Sequence, residues 1–305
     1  HVLHSAVFRV FLSTTNIPPS VACSDAWLRA IDRLPKAGPD QKGRKMQDLP
    51  TSAQLAPAPS ASDLPKTERI RHELRRRTLK ISAREMVTPQ MLRLTLSGPE
   101  LEGFTSLSPA DHIKIIVPGE GGEDAMRDYT PRGYDPHTQS LTIDFALHDE
   151  GAATLWAKQA QVGDTARIAG PRGSKVISGP IRNWLLIGDE SALPSISRRI
   201  EELPAGSRVT SLVAVQSARE EQRLVTEATH VALWVHRSDP CDATALAERL
   251  AQVMLPEGTY VWLAAEASVV KRLREQLIAR GHPLPWLTAS GFWSAGQVDG
   301  GEQEF

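Results

Sequence analysis

The sequence predicts a β plus α/β protein: an antiparallel barrel, then a mostly parallel sheet with helices on both faces. Three observations carry this. Short runs between residues 77 and 170 alternate apolar and polar positions, the period of a half-buried strand. One short helical stretch interrupts that pattern late, near residues 154–160. Beyond residue 180 the apolar runs become continuous and alternate with helical spacing, as buried parallel strands and their crossover helices do.

Each element has its own justification. Leu92, Leu94 and Leu96 alternate with Arg93 and Thr95; Ile113, Ile115 and Val117 alternate with Lys114 and Ile116. Leu141, Ile143, Phe145 and Leu147 alternate with Thr142, Asp144, Ala146 and His148. Gly151-Ala152-Ala153-Thr154 then leads into the helix carrying Leu155, Trp156 and Ala160, and a strand closes the barrel at Ala169-Gly170-Pro171. In the second part the run 184–187 ends in Gly188-Asp189-Glu190-Ser191-Ala192-Leu193-Pro194, and Ile196, Ile200 and Leu203 follow at helical spacing. Runs 209–215, 231–235 and 260–264 read as further buried strands, and 243–253 and 269–278 as helices. Residues 1–65 mix proline, serine, alanine and lysine without a period, and read as a disordered or non-native extension. The expected division is therefore 1–65, a barrel domain at 66–180, an α/β domain at 181–296 and a tail at 297–305.

Composition narrows the function. A chain of 305 residues with 41% hydrophobic residues can fill two cores, and a net charge of −1 speaks against coating nucleic acid or an anionic membrane. The run Arg69, Arg71, Arg75, Arg76, Arg77 and Lys80 is interrupted by Glu68 and Glu73 and lacks interleaved aromatics, so it reads as a solvated lead-in to the barrel. No apolar run approaches the roughly 20 residues of a spanning helix, so membrane insertion is not expected. Two cysteines, Cys23 and Cys241, cannot build a disulfide framework or a four-thiolate metal site, which points to the cytoplasm. The motifs H-E-x-x-H, G-x-S-x-G and G-x-x-x-x-G-K-[ST] are missing, and no histidine partners His148 at metal spacing. Neither a catalytic side chain nor a metal site is expected.

The most informative segment is Arg127-Asp128-Tyr129-Thr130-Pro131-Arg132. In an extended chain Arg127 and Tyr129 project the same way, a guanidinium suited to phosphate beside a ring able to stack on an isoalloxazine. Thr130 adds a hydroxyl and an N–H for the polar edge of such a ring. An edge-strand tyrosine flanked by solvated arginines fits the same four positions. The turn at Gly151 into Ala152, Ala153 and Thr154 offers free amides and a helix dipole to phosphates, and equally suits a plain N-cap. Asp189, Glu190 and Ser191 sit where a nucleotide meets the carboxyl end of a parallel strand, although the spacing is not G-x-G-x-x-G. Ser217 and Arg219 could read a 2′-phosphate, whereas Glu220 and Glu221 could read a ribose hydroxyl. Lys114 reads as an outward strand residue.

Taken in order, these strings resemble the siderophore-interacting proteins, flavin-dependent ferric-siderophore reductases of the ferredoxin-reductase superfamily. The resemblance runs from about Arg77 to Trp293. It rests on Arg127 to Pro131, Ile143 to His148, Ala169-Gly170-Pro171-Arg172-Gly173-Ser174, Gly188 to Pro194, and the terminal Gly291-Phe292-Trp293. It implies a six-stranded antiparallel FAD-binding barrel followed by a ferredoxin-reductase-type nucleotide-binding domain. By that likeness Arg127, Tyr129, Thr130, Asp144, His148, Ala152, Ala153 and Thr154 bind FAD. Asp189, Glu190 and Ser191 line the approach of NADPH or NADH, and Lys114 and Arg172 face the ferric siderophore. Ferredoxin is a possible electron donor. Ala264-Ala265-Glu266 departs from the family pattern, which has a glycine before the glutamate. A general flavin or ferredoxin-type reductase and a non-enzymatic siderophore-binding protein are the alternatives.

Overall fold

The computed structural model describes residues 64–148, 151–297 and 303–305. The expected extension lies outside these residues except for its last two positions. The described residues open with β1 (Lys66–Arg71), β2 (Arg76–Thr88), β3 (Met91–Ser97), β4 (Ile113–Pro118), β5 (Asp124–Tyr129), β6 (Gly133–Asp135) and β7 (Ser140–Ala146). Helix α1 (Ala152–Gln159), β8 (Thr165–Ala169) and β9 (Gly173–Ser178) complete this part. A seven-stranded antiparallel sheet runs β5-β4-β8-β2-β3-β7-β6, and β1 pairs with β9 beside it. The resemblance implies six strands; this sheet has seven, one of them the three-residue β6. Because β5 and β6 lie at opposite ends of the strand order yet are joined only by Thr130, Pro131 and Arg132, the sheet must curl until its edges nearly meet.

Alternation fills the inside of that curl as expected. Leu92, Leu94, Leu96, Ile113, Ile115, Leu141, Ile143 and Phe145 are buried in one cluster, with Ala153 and Ala157 of α1 packed onto it. The arginine-rich lead-in is mostly solvated, and its first part forms β1. Arg77 departs from that expectation. It is only 5% exposed, donates to the carbonyls of Glu100 and Gly170, and lies over the Phe104 ring.

The second part contains β10 (Asn183–Gly188), α2 (Leu193–Glu202), β11 (Arg208–Val215), β12 (Thr229–His236), α3 (Thr244–Gln252), β13 (Thr259–Glu266), α4 (Ala267–Ala279), β14 (Leu287–Trp293) and β15 (Gln303–Glu304). Its sheet order is β12-β11-β10-β13-β14-β15, parallel except for β15. Central β10 and β13 are almost wholly buried, which explains their unbroken apolar runs. The run 231–235, expected to be buried, lies instead in the edge strand β12, where Val231 is 51% exposed. Gly188 is required by close approach: a Cβ there would lie 2.8 Å from Ala192 Cβ, Ala264 O and Ile196 Cδ1.

The two sheets meet through side chains. Met91, the first residue of β3, is buried in the cluster formed by β10, β11 and α2. The buried Glu220 accepts from Thr88 Oγ1 and from Gln90 N at 3.0 Å. On α2, Glu201 holds Arg132 through two bonds of 2.7 and 2.6 Å, and Arg198 donates to Ser106 and to the Pro131 carbonyl.

Candidate functional site

Pairing of β5 with β4 sets Tyr129 opposite Ile113 and Arg127 opposite Ile115. Both side chains therefore share the face of two inward residues, as the alternation predicts. The Tyr129 ring packs on Phe145 with centroids 4.4 Å apart and remains half-buried. Burial pushes its phenol up to about 12, against the opposing pull of the Arg127 charge and a side-chain hydrogen bond with Thr154. Thr154 is 1% exposed, and its Oγ1 lies 3.0 Å from Nε2 of His148. Arg127, Tyr129, His148 and Thr154 thus converge from three separate elements.

Helix α1 begins beside them without a side-chain cap. Its N-cap is Gly151 at φ 116°, a conformation that favours glycine, and a Cβ there would crowd the His148 ring at 3.0 Å. The amides of Ala152 and Ala153 therefore open the helix with no side-chain acceptor. An aromatic face, a guanidinium and an uncapped helix start are the three features a flavin nucleotide needs, and the residues fit that group.

Two expected cofactor residues sit differently. Asp144 is on the face of β7 opposite Phe145 and is 4% exposed. Its carboxylate takes two bonds from Arg93, at 2.7 and 2.8 Å, and lies 3.6 Å from Arg132 Nε. These guanidinium groups hold Asp144 on the face of β7 away from Tyr129. Thr130 is 8% exposed, and its hydroxyl lies 3.0 Å from that of Ser195 on α2. The residue after the aromatic is therefore already in contact with the second sheet.

At the carboxyl end of β10, Asp189 is 1% exposed and heavily bonded. One carboxylate oxygen accepts from Ser191 N at 2.9 Å and from the Ser191 hydroxyl; the other accepts from Glu266 N at 3.1 Å and Trp293 Nε1 at 3.0 Å. It ties together the ends of β10, β13 and β14. Glu190 is paired in two-pronged fashion with Arg237, at 3.1 and 3.0 Å. Burial pushes the Glu190 carboxyl above its ordinary value, opposed chiefly by Arg237. These three residues occupy the expected place, but their side chains hold the strand ends and only Ser191 and Glu190 retain exposed surface. Glu266 caps α4 through Ser268 N and Val269 N.

Lys114 projects outward as expected and bonds Asp128, its cross-strand partner, at 2.6 Å. Arg172 is exposed after the cis Gly170-Pro171 bond, at the same end of the sheet as Lys114, whose register partner is Ala169. Of the acids once set against the 2′-phosphate reading, Glu220 is buried against the β2–β3 turn and Glu221 bonds His236 at 2.8 Å. Ser217 and Arg219 keep exposed surface. Sequence reasoning missed Arg237, Arg132, Arg198 and Ser195, because each is defined by partners 47 to 92 residues away or on another sheet. Position alone, just beyond a parallel strand's carboxyl end, could have flagged Arg237.

Comparison with known proteins agrees with this geometry. Residues 181–296 match the family described as siderophore-interacting protein, and residues 80–125 and 121–175 match the siderophore-interacting FAD-binding domain. The chain is 33% identical over 251 residues to the NADPH-dependent ferric-chelate reductase of Escherichia coli K12, covering 75% of this chain and 96% of that protein. It is 27% identical over 201 residues to ferric vibriobactin reductase of Vibrio cholerae, covering 60% of this chain and 74% of that one. The solved structure of a siderophore utilization protein from T. fusca superposes with a TM-score of 0.70 at 33% identity, over 76% of this chain and 97% of that chain. An FAD-binding antiparallel barrel, an attached parallel nucleotide sheet and these matches over both parts place the chain in the siderophore-interacting protein family.

Proposed function

We propose that this protein is a flavoprotein oxidoreductase that carries electrons from NADPH through FAD to ferric siderophores, releasing ferrous iron in the cytoplasm. The observation that carries the reading is the half-buried Tyr129 ring beside Arg127 and the uncapped start of α1. Residues 66–180 would form the FAD-binding domain and 181–296 the nicotinamide-binding domain. Tyr129 would stack on the isoalloxazine, Arg127 would hold phosphate, and Thr130 would bond the polar edge of the ring while bound to Ser195. The amides of Ala152 and Ala153 would take the diphosphate, with Thr154 and His148 fixing that corner. When bound, the flavin supplies the exchange between two-electron hydride acceptance and one-electron donation to iron.

The remaining work is positional. Asp189 holds three strand ends in register, so the approach past Glu190 and Ser191 keeps its shape. Burial of Glu220 against the β2–β3 turn, with Arg219 exposed and Glu221 paired to His236, favours a 2′-phosphorylated nucleotide, hence NADPH over NADH. Arg172, with Lys114 on the same sheet end, would draw an anionic chelate. Ferric iron binds hard oxygen donors tightly and the ferrous ion less so, so reduction alone loosens the chelate. Ferredoxin remains an alternative donor, distinguished by whether NADPH alone bleaches the protein.

The test is the visible spectrum of the purified protein with added FAD, then anaerobic titration with NADPH and reoxidation by a ferric catecholate. The expected result is a yellow protein that bleaches and recovers. Tyr129→Ala should weaken FAD binding at least tenfold; unchanged affinity, or a protein that takes up no FAD, overturns the proposal.

A further inference from the structure

Strand β12 ends the second sheet, with no strand beyond it among the described residues. It carries no Lys, Arg, Asp, Glu or Pro, and it pairs with β11 residue for residue along its whole length without a bulge. Edge strands are normally blunted by charge, proline or bulges, and β12 has none of these. Its backbone parity is set by β11. The N–H groups of Thr229 and Arg237 donate to Ser207 and Val215, so odd-numbered residues face β11. His230, Ala232, Trp234 and His236 therefore turn their N–H and C=O groups to the open edge.

The segment His230-Val231-Ala232-Leu233-Trp234-Val235-His236 is nearly symmetric about Leu233. Laid antiparallel on a second copy with the two-fold at Leu233, it sets His230 against His236, Val231 against Val235 and Ala232 against Trp234. Parity and sequence agree in this register: every even-numbered outward residue meets another even-numbered outward residue, small meets large on one face, and an apolar row forms on the other. An unrelated strand could share the parity but not the sequence match.

We propose that β12 is a self-association edge, joining two copies through antiparallel β12–β12 pairing centred on Leu233. The outward residues would contribute about eight hydrogen bonds across the two-fold. One strand per copy makes a small isologous contact, so monomer and dimer should exchange at roughly 1–100 µM.

Sedimentation velocity of the full chain across that range should show a rising dimer fraction, and Val231→Lys, at an exposed position, should abolish it while leaving the circular dichroism spectrum unchanged. Cross-linking fixes the register. In a Cys23→Ser, Cys241→Ser background, Leu233→Cys meets its own copy in a non-hydrogen-bonded pair about 4.5 Å apart, within disulfide reach. The two copies of Val231→Cys would lie about 13 Å apart. Mild oxidation should therefore link position 233 and not position 231. A monomer at every concentration, a dimer indifferent to Val231→Lys, or linking at 231 as efficient as at 233 overturns the proposal.

Discussion

Replacing Arg237 with methionine removes a cation held between two carboxylates, Asp189 and Glu190, at the carboxyl end of the second sheet. Its side chain is 7% exposed, against 25% for Glu190 and 2% for Asp189. Breaking a fully buried pair by deleting one partner costs about 3–5 kcal/mol, because the remaining charge is left without compensation. Glu190 keeps some access to water, and Asp189 keeps its bonds from Ser191, Glu266 and Trp293, so the loss here should be about 2–3 kcal/mol. That corresponds to a fall in melting temperature of about 6 °C for a fold of this size. The pH dependence gives the stricter test. Burial already raises the Glu190 carboxyl above its ordinary value, and removing Arg237 deletes the main opposing influence. A carboxyl whose folded pKa is raised binds its proton more readily in the folded state, so its destabilising effect is greatest when ionised and fades as pH falls through the folded pKa. Urea denaturation at pH 7.5 and pH 5.0 should show the Arg237→Met deficit shrinking in acid, and Glu190→Gln in the same chain should recover most of it. An equal deficit at both pH values, with no recovery from Glu190→Gln, would refute the argument.

Three further outcomes follow from the packing. Gly188→Ala should destabilise the fold by about 3 kcal/mol, because its Cβ would meet backbone oxygen and two side chains at 2.8 Å, and chemical denaturation would register the loss. Glu220→Ala should cost about 2 kcal/mol by leaving Thr88 and the Gln90 amide without their acceptor, measurable as a lower urea midpoint with faster proteolysis at the β2–β3 turn. Ultraviolet titration should find a tyrosine transition at about 12, and Tyr129→Phe should remove it; because the raised phenol favours the neutral form, the stability tied to it declines only as pH climbs above about 10.

Much of this architecture is legible from residue order because it depends on local period. The alternations at 92–96 and 141–147 identified core faces correctly, and the buried runs of β10 and β13 marked the centre of the parallel sheet. The placement of Tyr129 and Arg127 on one face and of Thr154 in the first turn of α1 was legible for the same reason, through alternation and a glycine-led helix start. What period cannot convey is who neutralises whom. The arginines that hold Asp144, Arg93 and Arg132, and the three strand ends that Asp189 joins are set by tertiary contact, which residue order does not carry. The edge position of β12 was equally hidden, because the apolar run 231–235 has the composition of an interior strand and only strand order reveals its open side.

The three residues between β5 and β6 have a dual allegiance with a mechanical consequence. Thr130, Pro131 and Arg132 follow directly on the aromatic at 129, and each is gripped from α2, by Ser195, Arg198 and Glu201 respectively. Any tilt of that helix is therefore transmitted within one residue to the ring at 129. A donor bound above the second sheet and an acceptor resting on the first would share a common hinge pin, and the gap between them would be set by two turns of one helix.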